Sequence, residues 1–392
     1  MLGGARVTDV FVYATVRTPR GKGSTRGALA GVTPLALVRG LCDELVAREL
    51  PPDGVDDVVL GCASQVGDQG GNLARTAALV AGLGDRVPGV TLNRYCASGL
   101  DAVNTAAARV RAGDLSLAVA GGVESVSRVP MFTDGGPLWT DPAVIAAARF
   151  VHMGVAADLV ATREGFERPA LDAYALRTRA RARAAWADGR AARSVVPVRD
   201  EHGAVTLDRD ELVAWAPSAD DVAALPPAFA ELPGPERRHL HTRASSPSLA
   251  DAAALAVVGD RAAGERTGMK PRARIVASVT CAGDPLVMLT AGQDAIERLL
   301  ARAGLAPRDI DVFEFAEAFA ALCLRLERDL AIDPARLNPG GGTIAMGHAF
   351  GATGAILLAN VVDELERSGG RYGIAAVSGA AGVGVATLLE RA

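Results

Sequence analysis

An α/β protein built from two similar halves is the fold this sequence predicts, and three observations predict it. Short β-branched runs alternate with segments of helical spacing. Two of those segments repeat one order of turn, helix, glycine stop and strand. The chain has 392 residues, enough for two or three domains that each close a core. With 49% hydrophobic and 22% charged residues, the bulk of the chain is neither disordered nor coiled coil.

The predicted strands are Val7 to Ala14, Asp57 to Leu60, Leu117 to Ala120, Arg274 to Val279, Val312 to Phe315 and Ile374 to Val377. Their near-continuous apolar character is that of buried strands. Leu100 to Val110 and Ile356 to Leu365 place apolar residues at i, i+3, i+4 and i+7 and read as helices. In the first repeat a small-residue turn at Ala97 to Gly99 opens the helix, Gly113 closes it, and a strand runs into Gly121-Gly122. In the second, Gly351 to Gly354 opens the helix, Gly369-Gly370 closes it, and a strand runs into Ser378-Gly379. Between roughly Val123 and Ala250 prolines punctuate the chain, Leu171 to Arg193 has helical spacing, and Asp220 to Ser248 reads as irregular. This middle segment is expected to be an inserted, mainly helical and loop domain.

Charge and cysteine usage exclude several functions. With 41 basic against 45 acidic residues and a formal charge of −4, the chain lacks the basic surface of a nucleic-acid binder. The longest charge-free apolar stretch, Ile374 to Leu389, contains three glycines and falls short of a membrane helix. Asp9, Arg17 and Arg20 interrupt any signal-peptide pattern, so the expected location is the cytoplasm. The five cysteines and five histidines show no disulfide framework and no metal-ligand spacing, so no metal site is expected. No phosphate loop, dinucleotide fingerprint or serine-hydrolase elbow is present, which argues against nucleotide hydrolysis, hydride transfer and common serine-hydrolase chemistry.

Two residues stand out. Cys96 lies where an extended run ends and a helix begins, a position whose unpaired N–H groups favour a thiolate. His348 lies in a glycine-crowded loop before the second repeated helix, where a histidine can hold a proton or polarise a carbonyl. Both occupy the helix-opening turns of the two repeats. A pseudo-twofold arrangement would bring them together as an activated nucleophile for acyl transfer.

Six blocks in order resemble the thiolase family over nearly the whole chain. They are Arg17-Thr18-Pro19, Gly70 to Arg75, Asn93 to Leu100, Ala120 to Ser125, His152-Met153-Gly154 and Gly347 to Gly354. The resemblance implies a five-layered αβαβα architecture. It places one half at 1–121, with 251–271 returning to it, the other at 272–392, and between them an inserted loop domain at 122–250 that binds coenzyme A. It also implies an acyl-CoA substrate with no tightly bound cofactor, and homodimers or homotetramers; an accessory protein is a further candidate partner, raised by the departures from the family pattern described below. On this basis Cys96 is the residue acylated by the thioester and His348 its activating base. Ser378 stands at the second catalytic position, and the backbone N–H groups of Cys96 and Ala380 form an oxyanion hole. His152, Met153, Ser246, Ser248 and Phe319 are the expected substrate or coenzyme contacts. Arg237, Arg238 and Arg243 are candidate phosphate partners.

The sequence departs from the family pattern at three places. Ala316-Glu317-Ala318-Phe319 lacks the polar side chain that usually opens that block; losing one oxyanion donor costs ~3–4 kcal/mol of transition-state stabilisation. Glu317 beside it is a candidate substitute base. Ser378 replaces the family's second cysteine, and a hydroxyl is a far weaker acid than a thiol of pKa about 8.5. Pro247 stands where the coenzyme loop usually carries serine. The expected activity is therefore acyl transfer on acyl-CoA or 3-oxoacyl-CoA thioesters through an acyl-cysteine. The alternatives are an altered thiolase that performs hydrolysis, transfer to another nucleophile or partner-assisted condensation, and a non-catalytic coenzyme-binding subunit.

Overall fold

The computed structural model describes residues 8–392. The chain runs β1 Phe11–Arg17, α1 Pro34–Ala47, β2 Asp57–Gly61, α2 Leu73–Val80, β3 Gly89–Leu92, α3 Ser98–Ala112 and β4 Leu117–Ser125. It continues through α4 Met153–Arg163, α5 Arg168–Ala187, β5 Ala250–Gly259 and β6 Ala273–Ala282. The last elements are α6 Ala291–Ala303, β7 Val312–Phe315, α7 Ala320–Asp329, α8 Phe350–Ser368, β8 Tyr372–Gly379 and β9 Val383–Arg391. Shorter turns and helices join them. The strand expected from Val7 begins at Phe11, and Val7 itself lies outside the described residues. The long apolar stretch at Ile374 to Leu389 is a hairpin of β8 and β9, turned at Ala381 (φ 58°) and Gly382 (φ 78°).

The strands follow the order β7-β8-β9-β6-β1-β5-β4-β2-β3, with Gly21–Lys22 adding a short pairing to β5. Two halves of this sheet have the same wiring. In one, β1 pairs antiparallel with β5, β5 antiparallel with β4, and β4 parallel with β2. In the other, β6 pairs antiparallel with β9, β9 antiparallel with β8, and β8 parallel with β7. β3 extends the first half beyond β2. Only Phe11–Arg274 and Val12–Ala273 join β1 to β6. The segment between β4 and β5, two directly paired strands, carries α4, α5 and the proline-rich loops.

Side-chain alternation distributes these strands among three cores. Val58, Leu60, Leu117 and Val119 pack outward against Leu37, Leu41 and Ala77 of α1 and α2. Phe313, Phe315, Ile374 and Leu388 pack outward on the other side against Ile296, Leu299 and Leu322 of α6 and α7. The opposite faces, with Val59, Ala118, Ala120, Ala375 and Val377, meet a shared layer made of α3 and α8 through Leu100, Val103, Leu358 and Val361. Helix, sheet, helix, sheet, helix is thus the layer order. Small residues let the middle layer close: a Cβ at Gly122 or Gly99 would strike the carbonyl oxygen of Gly351 at the start of α8. Gly113 (φ 83°) and Gly369 (φ 74°) end the two inner helices in the left-handed conformation that glycine adopts without strain.

Candidate active site

Cys96 is set by a tight turn after β3. Asn93 Oδ1 accepts from the Tyr95 N–H at 2.8 Å and Asn93 Nδ2 donates to Ala63 O at 2.9 Å, which holds Tyr95 at φ 51°. Ser98 Oγ accepts from the Arg94 N–H at 2.8 Å and donates to Tyr95 O at 2.6 Å. The half-buried Cys96 thereby stands just before α3 and opens on an apolar cavity. Tyr95, Met131, Phe132, Trp139, Met153 and Phe350 form most of its wall, and Ala63, Ser64, Asp134 and Ala380 complete it. Trp139 ties the wall together, its ring centroid 5.1 Å from Phe132, 6.2 Å from Tyr95 and 6.4 Å from Phe150.

The thiol differs from expectation. Burial of the sulfur, reinforced by the Glu124 carboxylate, pushes it up to about 12, while the backbone N–H groups of Cys96 and Ala380 act in the opposite sense. The helix-terminus effect that favours a thiolate is outweighed by desolvation, so the resting group is a neutral thiol. The same two N–H groups are those expected to form the oxyanion hole.

Glu124, fully buried at the end of β4, joins both repeats. It accepts from the N–H of Ala63 at 2.9 Å, Ser64 at 3.2 Å and Gly351 at 2.9 Å, and from Gln69 Nε2 at 2.7 Å. The N-terminus of α8 is thereby held against the strand ends beside Cys96. Sequence reasoning placed Glu124 in a family block without a role; a carboxylate inside an apolar strand run was the available signal.

His348 is buried, and its ring stands edge-on to Phe350 at 5.2 Å. Phe350 lines the cavity of Cys96, and His348 packs against Phe350 without being one of the lining residues. Its Nδ1 lies 2.8 Å from Thr353 Oγ1. Burial first, then the charge of the buried Arg20, draw the imidazole down to about 3, so it is neutral. With its proton on Nδ1 toward Thr353, the lone pair is on Nε2.

The remaining candidates surround this pair. Ser378 is buried, and its hydroxyl donates to Leu289 O at 2.6 Å and accepts from the Gly292 N–H at 2.9 Å. Its proton is thus committed to a carbonyl. Ala316 lies in the shared inner core. Glu317, the candidate substitute base, accepts from Tyr174 (2.9 Å), Thr178 (2.8 Å), Asn338 (3.1 Å) and the Ile344 N–H (3.0 Å), which corrects that expectation: all its acceptor capacity is structural. Met153 reaches the cavity directly. His152 caps α4 through Nδ1 at 3.1 Å from the Gly154 N–H and lies 5.8 Å from Phe229, which in turn lies 5.7 Å from Phe319. Ser246 is buried with an unpartnered Oγ, and Ser248 O accepts from the His348 N–H at 2.8 Å. Arg238 is paired with Glu167 and Arg237 with the carbonyls of Phe229 and Leu232. Arg243 packs over Trp215 at 5.5 Å. Phe229 and the aromatic wall of Phe132 and Trp139 are what the sequence reading missed.

No group of three or more His, Cys, Asp or Glu arranged to hold a metal occurs among the described residues, and none of their helices is long and apolar enough to cross a membrane.

Comparison with known proteins agrees with this architecture. Residues 10–262 match the family description "Thiolase, N-terminal domain" and residues 269–391 match "Thiolase, C-terminal domain". The chain is 36% identical to the beta-ketoadipyl-CoA thiolase of Pseudomonas putida, covering 98% of this chain and 99% of that one. It is 34% identical to a steroid 3-ketoacyl-CoA thiolase of Mycobacterium tuberculosis, covering 99% and 95%. The crystal structure of the Bacillus anthracis acetyl-CoA acetyltransferase superposes with a TM-score of 0.89 at 31% identity, covering 99% of this chain and 100% of that one. Two repeats that share a middle helical layer, with a cysteine and a histidine at its two opening turns and family matches along both halves, identify this chain as a member of the thiolase family.

Proposed function

We propose that this protein transfers acyl groups from 3-oxoacyl-CoA or acyl-CoA thioesters through an acyl-Cys96 intermediate. The observation that carries the reading is the placement of Cys96: its sulfur faces an apolar cavity and two backbone N–H groups, its own and that of Ala380. In cleavage, His348 Nε2 takes the thiol proton as sulfur bonds to the 3-carbonyl carbon, and the N–H pair receives the developing oxyanion. The C2–C3 bond then breaks, the C2 carbanion takes the proton from His348, and acetyl-CoA leaves. The coenzyme A sulfur next attacks the acyl carbonyl as His348 takes its proton, the bond from the acyl carbon to Cys96 Sγ breaks, and His348 returns the proton to Cys96, regenerating the thiol as acyl-CoA leaves. Because the Ser378 proton is held by Leu289 O, His348 carries all of these proton transfers. Segment 122–250 holds the coenzyme in this reading, with Met153, His152, Ser246, Ser248 and Phe319 along its path to Cys96. The free Oγ of Ser246 supports a pantetheine contact there, and the exposed Arg243 a phosphate contact.

Incubation with hexanoyl-CoA and intact mass analysis should show one acyl adduct, absent from Cys96→Ala; an unmodified wild-type protein would remove the proposal. A second reading, hydrolysis or transfer to another nucleophile, is favoured by the engaged Ser378 and the apolar Ala316. A Ser378→Cys variant that gains more than about tenfold in 3-oxoacyl cleavage would support it.

The protein also reads as a cytoplasmic homodimer or homotetramer. Five free cysteines support the reducing compartment. The edge strand β3, with Val90 exposed beside Leu79 and Val80, supports pairing with a second copy, which light scattering tests by mass.

A further inference from the structure

We propose that the cavity over Cys96 accepts uncharged, apolar acyl chains and rejects chains that end in a carboxylate, with Asp134 as the discriminating charge. This rests on the reading that Cys96 is the acylated residue. An acyl group on that sulfur would lie against Met131, Phe132, Trp139 and Phe350, and among the described residues no Lys, Arg or His side chain lines the cavity. Among them the one charged lining group is Asp134. Trp139 Nε1 donates at 3.1 Å to Oδ1 of Asp134, a solvent-exposed carboxylate tied by this bond to the aromatic wall. No Lys, Arg or His nitrogen pairs with Asp134 among the described residues; the nearby Arg149 pairs with Asp284 and Arg128 with Asp68.

A chain-terminal carboxylate entering here would lose its hydration to thioether and aromatic carbon with no guanidinium or ammonium to replace the water. It would also meet a like charge. A methyl-ended chain pays neither penalty and gains burial against the same side chains. The relatives named for beta-ketoadipyl-CoA act, by that name, on a chain ending in a carboxylate, so whole-chain similarity and cavity lining point to different substrates. The lining decides, because it is what the chain end touches.

The test compares the rates at which hexanoyl-CoA and succinyl-CoA label Cys96 at equal concentration, read by intact mass. The expected result is labelling by hexanoyl-CoA faster by about tenfold or more. Asp134→Asn, which keeps an acceptor for Trp139, should raise the succinyl rate about fivefold and leave the hexanoyl rate within about twofold. Equal labelling of the wild type by both thioesters overturns the selectivity alone. A preference that Asp134→Asn leaves unchanged overturns the assignment to Asp134. Labelling by neither thioester overturns the acylation of Cys96 itself.

Discussion

Burial pushes the Cys96 thiol up to about 12 and draws the His348 imidazole down to about 3, so neither group titrates near neutrality. In the proposed mechanism, proton transfer from Cys96 to His348 then waits for substrate to bring its carbonyl to the backbone donors. This gives the first prediction. Iodoacetamide, which has no oxyanion to offer those donors, should alkylate Cys96 at pH 7.5 at least about tenfold more slowly than free cysteine of pKa about 8.5. The rate should climb about tenfold per pH unit between pH 8 and 10. A plateau below pH 9, followed by mass spectrometry, would show an already ionised sulfur. The second prediction concerns Ser378. Replacing it with alanine leaves the buried Leu289 carbonyl and Gly292 N–H without partners and should cost ~1–3 kcal/mol in urea unfolding. Acylation of Cys96 by hexanoyl-CoA should stay within about threefold, because the hydroxyl does not serve the sulfur; a larger loss would restore Ser378 to the proton path.

At the level of elements, the meeting of α3 and α8 is decided by what is missing from their contact. Gly99 and Gly122 let the carbonyl of Gly351 approach the backbone of the first repeat, and Glu124 ties the Gly351 N–H to the ends of β2. Gly122→Ala puts a methyl group where only backbone can give way, and should destabilise by at least ~3 kcal/mol with loss of Cys96 acylation. Thermal unfolding checks it, and a wild-type midpoint would show that α8 can shift. These contacts also explain what could be read beforehand. The glycine-stopped helices and the turns of Cys96 and His348 were legible, because glycine and a lone thiol at a strand-to-helix junction have few other uses. Ala250–Gly259 was not, since half of the strand is alanine and its β-branched residues are confined to Val257 and Val258, so pairing with its neighbours rather than propensity makes it a strand. The aromatic wall was illegible for another reason: Tyr95, Phe132 and Trp139 come from separate turns, and their convergence is tertiary. The sign of the Cys96 shift was missed because a helix terminus is visible in sequence and desolvation is not.

For the whole molecule, a buried acid contributes to the pH response. Glu314 on β7 accepts from Asn360 Nδ2 at 3.0 Å, and burial pushes its carboxyl up to about 8. In the unfolded chain the same group ionises near ~4.3. The folded state therefore binds more protons between these values, so this group's contribution to stability is complete below pH ~4.3, falls as pH rises and levels off above about 8. Glu314→Gln keeps the contact with Asn360 and should lessen the loss of stability between pH 5 and 9 by about 2–5 kcal/mol, measured by urea titration at both pH values. An unchanged difference would mean that the acid is charged in the folded protein. The narrow ladder joining β1 to β6 has a different consequence. Cys96 and His348 belong to separate lobes that hold each other mainly through one buried helical stratum, so on the proposed mechanism a chain severed near residue 270 would yield two pieces, each with half the chemistry. Only their reassociation would rebuild a working centre, and turnover by mixed fragments would report directly on how well the lobes dock.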